Sequence, residues 1–198
     1  MKILASLLLF VSSGTLFAQN LAQSYQVRGG ISTESSYRGD KIEKGNRDVR
    51  HKEKEQVLKM EIRRMNPNAP SNAKVYWILA MDDMQGRLRP VGGGEQEIHS
   101  QVGIPVEITS DSISVKERDW KRKNGKSGGR EQDLKGYAVL VVDSEGNELG
   151  FKCSPNSLES KSRSYFSEEL AKDAEKEERQ EERAAKRNAG RQKKNKGF

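Results

Sequence analysis

Between Lys116 and Lys135 a single aromatic residue, Trp120, stands among the cations Arg118, Lys121, Arg122, Lys123, Lys126 and Arg130. An indole in such company can stack on a sugar ring or a nucleobase while the charges hold a phosphate or carboxylate. A segment this long between two strand-like regions reads as a loop, and long loops are functional or irregular. The competing reading has Trp120 packing back on the body of the protein with its neighbours solvated. A second cluster, Lys186, Arg187, Arg191, Lys193, Lys194 and Lys196, has the composition of a salt-dependent polyanion contact. A solubilising tail explains that cluster equally well.

Other chemistry finds fewer candidates. The chain has two histidines and one cysteine. His51 sits in the charged run Arg50-His51-Lys52-Glu53 and His99 near a strand end, neither with a recognisable acid or nucleophile beside it. No Gly-x-Ser-x-Gly elbow occurs, and the histidines and Cys153 are too scattered for a common zinc site. Asp143 to Glu148 offers oxygens, but the spacing fails a calcium loop and suits a hairpin turn. Asp82 and Asp83 follow a strand and read as turn chemistry. Gly125-Lys126-Ser127 has the ending of a phosphate loop, yet Trp120 occupies the place of the required earlier glycine. These observations predict no catalytic residues, no metal and no cofactor.

The elements that must position Trp120 and its neighbours come from the rest of the 198 residues, of which 33% are apolar and 33% charged. Such a chain cannot be compact throughout, so its core must be local. Lys2, the apolar run Ile3 to Val11, and the small and apolar residues up to Ala18 follow the order of a secretory signal, with Ala18 the expected last residue removed. The run falls short of the roughly 20 apolar residues that span a bilayer, and no second run follows, so no membrane span is expected in the mature chain. The protein is therefore expected to be exported, periplasmic or extracellular. With one cysteine, no internal disulfide can support it. The formal charge of +7 drops by one with the signal and stays basic, which favours anionic partners: envelope polymers, lipid headgroups or nucleic acid bound without sequence preference.

Residues 19–56 are polar with isolated Tyr25, Val27, Ile31, Tyr37 and Ile42, and read as a flexible N-terminal arm. Periodicity starts at Val57, where Leu58, Met60 and Ile62 alternate with charges. Val75 to Met81 is apolar on both faces and reads as a central strand. Pro90 marks an edge strand, Gly92-Gly93-Gly94 a flexible connection, and the break near Ser110 a bulge or turn. Tyr137 to Val142 and Leu149 to Cys153 flank Asp143-Ser144-Glu145-Gly146-Asn147 as a hairpin. Cys153, in phase with Leu149 and Phe151, should point into the core. Residues 57–158 are thus expected to form an all-β domain, a sandwich or partly open barrel. Residues 159–198 are expected to be a charged helix, capped by Ser167, with a disordered basic end.

The tryptophan-bearing second strand, the glycine-rich middle, and Gly136-Tyr137-Ala138-Val139 followed by a hairpin and Ser157-Leu158-Glu159 resemble uncharacterised exported bacterial proteins with immunoglobulin-like sandwich domains. That resemblance, over Arg47 to Glu159, implies an architecture without an activity. The expected function is an exported, non-enzymatic interaction or structural module of the cell envelope, its partner a protein or anionic polymer. The alternatives are a polyanion-binding protein acting through its basic loop and tail, and a hydrolase with an unrecognised site.

Overall fold

A computed structural model of the protein describes residues 24–39, 42–44, 47–82, 87–122, 124–131 and 133–195. The expected signal segment with Ala18, and likewise Asp83, Lys123 and Lys196, lie outside the described residues. Two units make up the chain, one ending at Glu159 and the other beginning at Ser160.

The first unit is built from β1 (Tyr25–Arg38), β2 (Ile42–Lys44), β3 (Arg47–Arg64), β4 (Asn72–Asp82), β5 (Leu88–His99), β6 (Pro105–Thr109), β7 (Ile113–Arg122), β8 (Ser127–Glu131), β9 (Leu134–Val142) and β10 (Glu148–Ser154). A curled sheet has the order β1-β3-β7-β8, with β2 and β6 also paired to β3; a second sheet has the order β10-β9-β4-β5. Every strand pairing is antiparallel. The core is all-β, as the alternation predicts, and a charged helix follows it.

Between the sheets lie Tyr25 and Val27 of β1, Leu58, Met60 and Ile62 of β3, Val75, Trp77 and Leu79 of β4, and Tyr137, Val139 and Val141 of β9. The alternate residues Tyr76, Ile78 and Ala80 of β4 are buried as well, so this strand is apolar on both faces and central, between β9 and β5. The predicted hairpin joins β9 to β10, with Gly146 at φ +81° in its turn. Asp143 Oδ1 accepts from the backbone N–H groups of Glu145 and Asn147, which makes these oxygens turn-forming groups. The break at Ser110 separates β6 from β7, two successive partners of β3; the Ser110 N–H donates to the Leu58 carbonyl, and its Oγ accepts from the Leu58 N–H.

Several expectations are corrected. Where it is described, the expected arm is largely strand, in β1, β2 and the first part of β3: β1 pairs with β3 from Tyr25↔Arg64 to Arg38↔Lys52. The inward series Tyr25, Val27, Gly29, Ile31 keeps a period of 2, but a glycine stands where a bulky residue would advertise it. Gly29 is needed there, because a Cβ would come within 2.9 Å of the Tyr137 ring, whose hydroxyl donates to the Gly29 carbonyl at 2.6 Å. Gly92-Gly93-Gly94 lies inside the edge strand β5, since a Cβ on Gly94 would stand 2.5 Å from Cζ2 of Trp77, its opposite residue on β4. Cys153 is buried, yet the irregularity between Glu148 and Gly150 sets it opposite Ala138, on the face away from Leu149.

In the second unit the helix α1 (Glu159–Asn195) begins eight residues before Ser167, which therefore is no cap; its hydroxyl donates to the Arg163 carbonyl one turn back. Ion pairs Lys172–Glu169, Lys176–Asp173 and Arg179–Glu175 lie along it. The helix continues to Asn195, so Lys186, Arg187, Arg191, Lys193 and Lys194 are helical rather than in an irregular end. Ala184, Ala185 and Ala189 are strong helix formers, and cations suit the negative end of the helix dipole.

Burial pushes the Tyr137 phenol above its ordinary value, with Cys153 acting in the same direction. Lys52 is likewise held above the ordinary lysine value, chiefly by its hydrogen bond to Glu117. Both raised groups favour the protonated form in the fold, so their stabilisation is complete below the unfolded values near 10.0 and 10.5 and is lost as pH rises through the folded ones. Alkaline unfolding should therefore set in above about pH 10. Tyr137→Phe is expected to lose about 1 kcal/mol at neutral pH through its missing hydrogen bond, and to show a shallower decline of melting temperature at high pH. An unchanged alkaline slope in that variant would count against the assignment.

Candidate functional site

The segment that carries Trp120 is a strand hairpin, not a loop. Arg118, Trp120, Lys121 and Arg122 belong to β7, Arg130 to β8, and Lys126 lies in the connecting turn. The turn closes through the Arg122 N–H donating to the Lys126 carbonyl at 2.7 Å, with Gly125 at φ +84°. The same device found in the core explains why the sequence conceals this strand. Gly128 stands opposite Trp120, and a Cβ there would fall 2.6 Å from the indole Cζ2. Only glycine lets the ring lie across the neighbouring strand.

Opposite residues of paired strands share a face, and successive residues alternate. On one face of the β3–β7 ribbon the register sets Asp48 against Lys121, Arg50 against Asp119, and Lys52 against Glu117. Each pair is of opposite sign. Glu117, 12% exposed at its side chain, takes Lys52 at 2.8 Å and Lys54 at 3.5 Å; Lys54 and Lys135 both approach Asp133 at 3.5 Å. Between β3 and β7 these charges are matched to one another, while the outer strands set Glu131 of β8 opposite Glu117 and Glu43 of β2 opposite Asp48. An open hollow of about 580 Å³ at this end of the ribbon is lined by Asp48, Arg50, Asp119, Trp120, Lys121, Ser127 and Gly128.

On the other face Lys116 stands opposite Glu53, but beyond that pair the register brings cations together. Arg122 stands opposite Arg47, while Arg118 stands opposite His51 on β3 and Arg130 on β8. Between these two rows runs a neutral one, with Val49 and Gly128 on either side of Trp120. Like charges directly opposite each other are destabilising in a sheet. Val49 is buried, Trp120 half-buried, and Arg118 and His51 are exposed. The guanidinium carbon of Arg122 stands 5.5 Å from the centre of the Trp120 ring, within cation–π range, and its Nε is buried with no hydrogen-bond partner among the described residues. Successive same-face residues are about 6.7 Å apart along a strand, so the two cationic rows lie roughly 13 Å apart.

Of the expected binding residues, the register thus brings Arg118, Trp120, Arg122 and Arg130 together. Lys121 points to the matched face, Lys126 is exposed in the turn, and the helical cations belong to the second unit. Arg47 and His51 were missed as neighbours. Their signal is the odd-numbered series Arg47, Val49, His51, which becomes legible only once residues 47–56 are taken as strand. Elsewhere His99 Nδ1 lies 2.7 Å from Asn72 Oδ1 on the surface, and Asp82 ends β4 exposed. Among the described residues no group of three His, Cys, Asp or Glu side chains is assembled for a metal ion, and no helix is long and apolar enough to cross a membrane.

No family model and no curated protein matches the chain. Among solved structures it is similar to a Northeast Structural Genomics Consortium target at 11% identity, over 64% of this chain and 91% of the other, with a TM-score of 0.27. It is also similar to a protein of Akkermansia muciniphila at 16% identity, over 67% and 72% of the two chains, with a TM-score of 0.25. A Bordetella pertussis protein solved as a candidate ApaA gives 11% identity, 61% and 95% coverage, and a TM-score of 0.23.

Proposed function

We propose that this protein is an exported, non-enzymatic interaction module that binds anionic polymers through the Trp120 face of its β3–β7–β8 ribbon. One observation carries the reading: on the Trp120 face the register sets Arg122 opposite Arg47 and Arg118 opposite Arg130, to either side of the row formed by Val49, Trp120 and Gly128. Like-charge opposition costs stability, and a bound polyanion would relieve it. Export rests on the signal-like first eighteen residues. The two-sheet core with its tryptophan-bearing central strand supports an immunoglobulin-like reading of the domain.

The test is binding of the full chain to a heparin fragment. Affinity should fall steeply between about 50 mM and about 200 mM salt, as counterion release demands. Arg118→Gln with Arg122→Gln should weaken binding by about tenfold and flatten the salt dependence, each lost contact removing close to one unit of slope. Glutamine at the six basic positions from Lys186 to Lys196 should weaken it less. The opposite ranking would make α1 the active part and the β-domain its carrier.

A further inference from the structure

Resting on that reading, we infer that the ligand of this face is a single-stranded nucleic acid laid along β7, with a base on Trp120 and phosphates on the arginine positions to either side. The register sets three rows side by side, cationic, aromatic and cationic, across the ribbon. A strand of nucleic acid offers that alternation, since its backbone is anionic and each base has a π-face that stacks on indole without regard to sequence.

The residues flanking Trp120 favour phosphate. Arg118 and Arg122 stand on β7, with Arg130 and Arg47 at the register positions opposite them, and a guanidinium presents a planar fork that matches phosphate oxygens in pairs. Two cationic rows roughly 13 Å apart exceed the reach of one small anion and call for a polymer. The indole is already fixed over Gly128, so little side-chain freedom remains to be lost on stacking. A duplex keeps its bases stacked inside and leaves the aromatic row without a partner. In the hollow that borders Trp120 and Gly128, the cations Arg50 and Lys121 are opposed by Asp119 and Asp48, so the phosphate positions fall on the arginine rows instead.

The experiment uses the full chain, with glutamine at the six basic C-terminal positions to silence the helix. Fluorescence anisotropy follows three probes: an oligothymidylate of about 15 nucleotides, a DNA duplex, and a heparin fragment. Trp120→Ala should weaken the oligothymidylate by about tenfold, leave the duplex and heparin fragment within about twofold, and be largely rescued by Trp120→Tyr. Thermal melting of each variant separates lost stacking from lost folding, and Trp120→Tyr keeps the ring over Gly128 should the alanine variant not fold. If the aromatic substitutions alter all three probes equally, or none, the nucleic-acid assignment falls while polyanion binding stands. If Arg118→Gln with Arg122→Gln changes no probe, both readings fall together.

Discussion

Replacing Trp77 with alanine is expected to remove about 3–5 kcal/mol of stability, a large share of the roughly 5–15 kcal/mol available to a domain. Trp77 is 8% exposed, in the middle of β4, opposite Gly94 on β5 and Val139 on β9. Its ring fills the space that a side chain on Gly94 would take. Truncation therefore opens a void between two ladders of backbone hydrogen bonds, and neither Gly94 nor the fixed strands can move in to close it. Urea unfolding should show a lowered midpoint with an unchanged slope. A loss below about 1 kcal/mol would mean that β5 collapses onto β4, and that the glycine run is the loose connection its composition suggests.

The second large effect is on binding. Arg118→Glu with Arg122→Glu should cost anionic probes about 100-fold or more in affinity, because each charge-assisted contact contributes about 1.5–3 kcal/mol and both turn repulsive. Stability should move the other way or not at all. The reversed charge at 118 would stand opposite Arg130, and that at 122 opposite Arg47, so oppositions of like sign become oppositions of unlike sign. Losing the Arg122 guanidinium from beside the Trp120 ring offsets part of this gain. Thermal melting of the pair of substitutions decides the point. A clear fall in melting temperature would make the arginines structural and remove the physical reason for treating this face as a site.

How much of this the sequence discloses depends on where glycine falls. The β4 strand, the β9–β10 hairpin, the edge at Pro90 and the interruption at Ser110 all follow from apolar alternation and turn chemistry, and all are present. Two strands, β1 and β8, stayed hidden and β5 read as broken because glycine occupies positions where a ring from elsewhere fills the space: Gly29 under Tyr137, Gly128 under Trp120, Gly94 under Trp77. Local patterning scores such residues as loop, since the partner that justifies them lies on another strand. The first half of β3, residues 47–56, escaped for another reason. Charged and polar residues dominate both of its faces, one of them matched to β7, so no apolar stripe marks it. The cations and Trp120 were visible as composition, while their arrangement in rows required the register.

A ring seated over a glycine admits one alignment of the strands it joins. Sliding β8 by two residues along β7 would produce a clash at once, because Lys126 or Arg130, each bearing a Cβ, would then lie where Gly128 leaves room for the indole. The hairpin is therefore keyed like a lock tumbler, and the distances between its positive groups are fixed by steric exclusion before any visitor arrives.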